Sequence, residues 1–184
     1  VVVFIINHPN AAAAQGAQFG ALTGALSSDP NSGLTSRAIG AGTGAVTGRI
    51  LEGIGKKTTF FAMELDPIFA SGLKRRFPDL TVYNDSAERM VEYLARHGKK
   101  RADYIISGLP WASLPLDVQH RVLGAVLASL DPGGVFTTFG YVHARWLPNA
   151  LRFRRRLEAH FAEVETSEVV WRNFPPAFVY RCTR

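Results

Sequence analysis

Cysteine is nearly absent: Cys182 is the only one in 184 residues. A lone thiol makes no internal disulfide and no cysteine metal cluster, which excludes a disulfide scaffold and a zinc ribbon. Its place in a late apolar run makes it a small core residue of the last strand. Long apolar runs are also missing, since none approaches the ~20 residues a membrane-spanning helix needs. The opening "VVVFII" is far shorter, and lacks the basic flank and cleavage pattern of a signal peptide. No glycine loop continues into Gly-Lys-Ser/Thr, so a P-loop is excluded. From Val1 to Ser28 there is no Lys, Arg, Asp or Glu. Within that stretch, "AAAAQGAQFGALTGALSS" predicts a weak helix with small faces. "SDPNSG", residues 28–33, predicts a turn or linker.

Negative charge is in deficit over the whole chain. Fifteen acids face 21 Lys and Arg, a formal charge of +6, with a sequence pI near 9.8. That balance suits nucleic acid, an anionic membrane or an anionic small molecule equally, and it also suits a solvated surface with no such partner. Length and an apolar share of 47% fit one soluble domain with a real core.

After Gly33 short apolar runs alternate with helical patterns. "TSRAIG" precedes a glycine loop and a helix through Leu51, "TTFFAMEL" precedes "PIFASGLKRRF", and "LTVYN" precedes "AERMVEYLARH". "ADYIISGL" then leads to "DVQHRVLGAVLASL", and "GGVFTTFGYV" to "NALRFRRRLEAHF". "EVVWR" and "FVYRC" flank "NFPPA" as a closing strand pair. This alternation predicts an α/β fold, a parallel sheet with helices on both faces.

Ligands in such folds bind at the carboxyl ends of the strands. Gly40, Ala41, Gly42, Thr43 and Gly44 follow the first predicted strand, where missing Cβ atoms allow a close approach to a ligand. The spacing G-x-G-x-G departs from the dinucleotide G-x-G-x-x-G, although Gly40, Gly42 and Ala45 match its Ala variant. The second strand ends at Glu64 and Leu65, which places a carboxylate 20 residues after Gly44, where it can accept from ribose hydroxyls. The third ends at Asp85, Ser86 and Ala87. A nicotinamide cofactor gives no reason for that second acid, whereas an adenine amine does. Taken singly, Glu64 reads equally well as a solvated strand end and Asp85 as a helix cap. In succession the three strand ends describe a pocket for adenosine attached to something compact. The fourth strand ends in Ser107, Gly108, Leu109, Pro110 and Trp111, a turn whose carbonyls and aromatic face suit an amine. Its plainer reading is a Gly–Pro turn with a buried tryptophan.

These residues resemble the motifs of class I S-adenosylmethionine-dependent methyltransferases: "GAGTG", "MELD", "NDSA" and "SGLPW" in order. The fourth is similar to the Asn-Leu-Pro-Tyr/Phe of rRNA adenine dimethyltransferases. "SGLPWASLPLDVQHRVL" and "WRNFPPAFVYRC" resemble the soluble bacterial phospholipid N-methyltransferases, which methylate phosphatidylethanolamine toward phosphatidylcholine. The likeness runs from Thr35 to the end, with Ala38 where the family usually carries an acid. It implies a Rossmann-like fold with a mostly parallel seven-stranded sheet and an antiparallel C-terminal strand pair. One domain is expected over 1–184, with 34–184 the cofactor-binding core; the uncharged segment 1–33 is expected to be a helical lid and membrane-contact segment, the remnant of an interfacial helix.

The implied reaction is attack of an amine on a sulfonium methyl, with S-adenosylhomocysteine as product. The histidines read as exposed helix or loop residues, with His143 nearest the site. Tyr141 is the candidate to hydrogen-bond the head-group phosphate or to orient the amine through water. Its competing reading is an aromatic that finishes a buried strand. Trp111 is the candidate to hold methylated ammonium by cation–π attraction. Gln18 and Phe19 align with a pocket lid. Arg152, Arg154, Arg155 and Arg156, with the clusters at Lys74–Arg76 and Lys99–Arg101, are the membrane candidates, though such clusters are also ordinary solvated faces. The expectation is a cytoplasmic enzyme lying peripherally on the inner membrane face, with phospholipid as substrate and neither nucleic acid nor metal required. Two rivals stand beside it: an rRNA adenine dimethyltransferase, and a non-catalytic lipid- or nucleotide-binding module.

Overall fold

The computed structural model describes residues 2–7, 47, 48, 50–52 and 58–184. Seven strands form one sheet: β1 (Val2–Asn7), β2 (Thr59–Glu64), β3 (Thr81–Tyr83), β4 (Ala102–Ser107), β5 (Leu130–Tyr141), β6 (Glu163–Thr166) and β7 (Ala177–Thr183). Their spatial order is β3-β2-β1-β4-β5-β7-β6. Helices α1 (Pro67–Arg76), α2 (Met90–Arg96), α3 (Leu116–Ser129) and α4 (Pro148–His160) connect the strands from β2 to β6 in turn. Thr47, Gly48, Ile50, Leu51 and Glu52 are helical ahead of β2.

Successive strand side chains point to opposite faces, and that period sorts the core into two layers. Phe4, Ile6, Ala62, Tyr104 and Ile106 lie on one face under Ile50 and the α1 residues Ala70 and Leu73. Ile5, Phe61, Met63, Ile105 and Phe136 lie on the other, under Met90 and Leu94 of α2, Val122 and Val126 of α3, and Phe153 and Leu157 of α4. Each fully buried Val, Leu, Ile, Phe or Met side chain among them contributes about 1.5–3 kcal/mol. Cys182 packs in the second layer, and burial pushes its thiol up to about 12. It is core, as its sequence position implies.

β2 and β3 pair parallel, as do β4 and β5. β1 runs antiparallel to both β2 and β4, and β7 antiparallel to both β5 and β6. Strands β2 to β6 therefore share one direction, and β1 and β7 oppose it. The mostly parallel sheet with an antiparallel C-terminal pair is as expected. The reversed β1 is not.

The expected first strand, residues 35–40, lies outside the described residues, and the slot between β2 and β4 belongs to Val2–Asn7. A strand paired on both edges and covered on both faces needs apolar side chains at successive positions. Phe4, Ile5 and Ile6 are all buried, as that position requires. Residues 2–7 thus belong to the core sheet. This corrects the assignment of all of 1–33 to a helical lid; residues 8–33, Gln18 and Phe19 among them, lie outside the described residues.

The sixth strand also sits elsewhere than expected. It is Glu163–Thr166, while the predicted "EVVWR" contributes only an isolated bridge from Val170 to Ala177. An edge strand keeps one flank in water and tolerates charge there. Glu163 and Glu165 are exposed and Val164 is half-buried, a pattern that fits an edge and is too polar to read as a strand from apolar content.

Candidate functional site

The carboxyl ends of β2, β3, β4 and β5 line one edge of the sheet. Because β1 is reversed, its amino end reaches that edge: Val2 is in register with Glu64, and Val3 with Ser107. Glu64 closes β2 and is 1% exposed. The Asp66 amide donates to its Oε1 at 2.9 Å. Asp66 in turn caps α1, its Oδ1 accepting from the amides of Ile68 and Phe69 at 2.8 and 3.3 Å, with Pro67 preset for the first helical turn. Leu65 is exposed. One capped turn therefore fixes both the start of α1 and the carboxylate before it.

Asn84, a residue the sequence motifs did not single out as functional, ties two strand ends together. Its Nδ2 donates to the carbonyls of Glu64 and Leu65, both at 2.8 Å. Asp85 follows directly. Its Oδ1 accepts from the Ser86 amide at 2.7 Å, and its Oδ2 from Tyr93 Oη and Arg89 Nη1, each at 2.6 Å. The Tyr93 hydroxyl, then the Ser86 amide and the Arg89 charge hold the Asp85 carboxyl below its ordinary value. Asp85 is thus ionised and internally bound at the same time. It does not itself cap the next helix: Ser86 does, its Oγ accepting from the Glu88 amide at 3.3 Å ahead of Ala87. A carboxylate offers about four lone-pair sites, so acceptor capacity remains at this strand end.

Ser107 ends β4 fully buried, with its Oγ accepting from the Leu109 amide at 3.2 Å. The carbonyls of the following turn are largely turned inward. Those of Leu109 and Pro110 accept from the amides of Trp111 and Ser113. The Ser107 carbonyl accepts from Thr138 Oγ1 at 3.0 Å, and that of Trp111 from Gln119 Nε2 at 2.6 Å. An incoming amine finds only second lone pairs at these four. The turn is braced more than open.

Trp111 corrects an expectation. Its side chain is 3% exposed, stacked on Phe153 at 4.2 Å and edge-on to Phe136 at 6.1 Å. The plain reading, a buried tryptophan, is the one realised, because α4 lays Phe153 over the indole. With that face covered, cation–π capture of a head group has no open ring to use. The indole instead donates to Thr138 Oγ1 at 3.0 Å. Gln119, fully buried on α3, also bonds the Leu114 carbonyl at 3.2 Å and accepts from Arg156 at 3.3 Å. It lies inside the quoted stretch "SGLPWASLPLDVQHRVL", and a glutamine among helical core positions was the signal available.

Tyr141 ends β5 at the same sheet edge, three residues past the Thr138 that is in register with Ser107. It is half-buried, stacked on exposed His143 with ring centroids 5.7 Å apart. Burial pushes its hydroxyl above the ordinary phenol value, so near neutral pH it is a hydrogen-bond donor and not a base. Gly140 before it is packed against Phe178, whose ring would lie 2.7 Å from an added Cβ. His97 departs from the exposed reading: it is half-buried, stacks on Phe61 at 4.6 Å and shares a 3.1 Å hydrogen bond with Tyr83.

The arginine cluster divides. Arg154 pairs with Glu158 at 2.8 Å, Arg156 reaches Gln119, and Arg152 and Arg155 are exposed. Lys74, Arg75 and Arg76 sit in the last turn of α1, where cations suit the helix terminus. The glycine loop, Gly40 to Gly44, lies outside the described residues. Among the described residues no helix is long and apolar enough to cross a membrane, and no cluster of metal-binding side chains is found.

No family model matches the chain. It is 33% identical over 147 residues to the ornithine lipid N-methyltransferase of Singulisphaera acidiphila, covering 78% of this chain and 72% of that protein. Among solved structures, a protein of Clostridium thermocellum assigned as an rRNA methylase matches with a TM-score of 0.55 at 15% identity, over 74% of this chain and 79% of its own. The Methanococcus jannaschii fibrillarin pre-rRNA processing protein matches with a TM-score of 0.50 at 11% identity, over 66% and 54%. At these identities the two structures speak for the fold alone. Strand order, layered helices and the curated relative agree: the chain belongs to the class I S-adenosylmethionine-dependent methyltransferases, in the lipid N-methyltransferase family of that relative.

Proposed function

We propose that the chain methylates the amine of phosphatidylethanolamine and of its mono- and dimethyl forms, toward phosphatidylcholine, while lying peripherally on an anionic membrane. The observation that carries this reading is the strand-end series of Glu64, Asp85 and the braced Ser107–Trp111 turn, in a chain one-third identical to a lipid N-methyltransferase. The donor set fits S-adenosylmethionine. Ribose hydroxyls and the adenine amine are donors, and the two strand-end carboxylates are acceptors. Glu64 would hold the ribose and Asp85 the adenine amine, flanked by Leu65, Ser86 and Ala87. When bound, the cofactor supplies an electrophilic methyl on a sulfonium.

The protein's own work is positioning and exclusion of water. The Ser107–Gly108–Leu109–Pro110 turn is the wall against which the amine is aligned, and its shape is held from behind by Trp111 and Thr138. Tyr141, protonated near neutral pH, donates to the head-group phosphate. Arg145, half-buried beyond it, has no carboxylate at ion-pair distance among the described residues, so its charge is available to the same phosphate.

A second head group has an observation of its own. The relative is an ornithine lipid N-methyltransferase, and an ornithine lipid also presents amines. Methyl transfer to each lipid in turn separates the two. A preference for the phosphate-bearing lipid that Tyr141→Phe reduces supports the first reading; a preference for ornithine lipid that Tyr141→Phe leaves intact supports the second.

A further inference from the structure

The loop from β6 to β7 is tightly tied yet holds two large aromatic rings in water. The Val170 amide donates to the Ala177 carbonyl at 2.7 Å and the Asn173 amide to Val170 at 3.3 Å. Asn173 Nδ2 donates to the Pro175 carbonyl at 2.6 Å. Between these ties Trp171 is 72% and Phe174 70% exposed. A braced loop has paid its ordering entropy before any partner arrives.

The adjoining segment repeats the pattern. Tyr141 pairs with Ala177, and the Val142 amide donates to the Pro176 carbonyl at 2.9 Å, so the chain leaving β5 runs beside this loop. It carries Trp146, 75% exposed. The Arg145 guanidinium lies 5.8 Å from the Trp146 ring and 5.5 Å from that of Phe178. Arg172 and Arg152 are exposed nearby in sequence on the same two segments, and neither has a carboxylate at ion-pair distance among the described residues. Both segments leave the sheet at the edge that carries Glu64, Ser107 and Tyr141.

We propose that Trp146, Trp171 and Phe174 insert into an anionic lipid surface while Arg145, Arg152 and Arg172 meet its head groups, seating the open edge of the sheet on the membrane. Amphipathic aromatics settle at the depth of head groups, and clustered arginines add charge attraction to anionic lipid. A second copy of the chain is the poorer occupant. A two-fold contact through this face would set the same three arginines of each copy against each other, with exposed Glu168 the one carboxylate of the β6–β7 loop to offset them. The inference rests on the lipid-substrate reading for its purpose, but its test does not.

Trp111 is buried, so of the three tryptophans only Trp146 and Trp171 can be reached from a bilayer. The experiment combines flotation on phosphatidylcholine vesicles of graded phosphatidylglycerol content with quenching by brominated acyl chains. It compares the wild-type chain with Trp171→Ser/Phe174→Ser and with Trp171→Phe. The double variant should lose vesicle partition at least about tenfold. It should keep its methyl transfer to a short-chain lipid amine dispersed as monomers. Trp171→Phe should keep partition and lose part of the quenching. Equal partition of the double variant and wild type overturns the inference. So does a wild-type dimer that the double variant dissolves, or a loss of RNA binding in the double variant with lipid binding intact. Vesicle binding that depends on these residues, in a chain that methylates no lipid, upholds the docking surface and rejects the substrate reading.

Discussion

Trp111 donates its indole proton to Thr138, 27 residues away and buried with it, at 3.0 Å. Thr138 donates in turn to the Ser107 carbonyl, also at 3.0 Å. The relay spans β4, β5 and the turn between β4 and α3, so the catalytic-edge turn is held by a hydroxyl on the neighbouring strand. Thr138→Val keeps the shape and removes both bonds. It leaves a buried indole N–H unpaired, which costs about 1–3 kcal/mol. Chemical denaturation should show that loss, and kcat should fall more than cofactor affinity because the turn loosens while Glu64 is untouched.

Glu64 is the most buried carboxylate of the edge. Glu64→Ala should weaken S-adenosylhomocysteine binding by roughly 10- to 100-fold, the range for losing hydrogen bonds to a charged acceptor. Titration calorimetry reads this directly, and Asp117→Ala on the exposed start of α3 serves as a control that should leave binding unchanged.

Asp85 gives a pH signature. Its folded value lies below the ordinary 3.8, so on acidification the unfolded chain takes up the proton first. The stabilisation is complete above the ordinary value and is lost as pH falls through the folded one. Melting temperatures of wild type and Asp85→Asn should therefore differ by a constant amount at neutral pH and converge only in acid. A difference that grows toward acid would contradict the Tyr93–Asp85–Arg89 arrangement.

How much of this was legible beforehand varies along the chain. The strands and helices from Thr59 to His160 follow from the alternation of short β-branched runs with helical spacing. The strand-end acids follow from that frame. Other features did not follow. Val2–Asn7 fills the slot between β2 and β4, and such a long-range pairing is not encoded by any local pattern in the run itself. The burial of Trp111 depends on Phe153, which lies 42 residues further on; a motif read locally shows an aromatic at a turn and is silent on what covers it. Gln119 was hidden for the same reason, since its partners are backbone carbonyls of another segment.

Gly140 faces Phe178 across the β5–β7 ladder, and the ring occupies the space of a Cβ. Gly140→Ala should destabilise by about 1–3 kcal/mol through overpacking. It should also disturb Tyr141 next to it, so activity on lipid should fall beyond what lost stability explains at a temperature well below the melting point.

Tyr141→Phe tests the donor role. Losing one hydrogen bond to a charged phosphate should lower kcat/KM for a phosphate-bearing lipid about tenfold or more. The pH profile of the wild type should show no loss of this effect until above the ordinary phenol range of about 10, because burial raises the Tyr141 hydroxyl further.

Transfer of labelled methyl from S-adenosylmethionine to vesicles containing phosphatidylethanolamine or ornithine lipid, with ribosomal RNA in a parallel reaction, addresses the central claim. The wild type should label lipid amine and leave RNA unlabelled, and at subsaturating cofactor Glu64→Ala should cut the lipid signal roughly 10- to 100-fold. Label in RNA with none in either lipid, or lipid labelling that survives Glu64→Ala undiminished, would contradict the account.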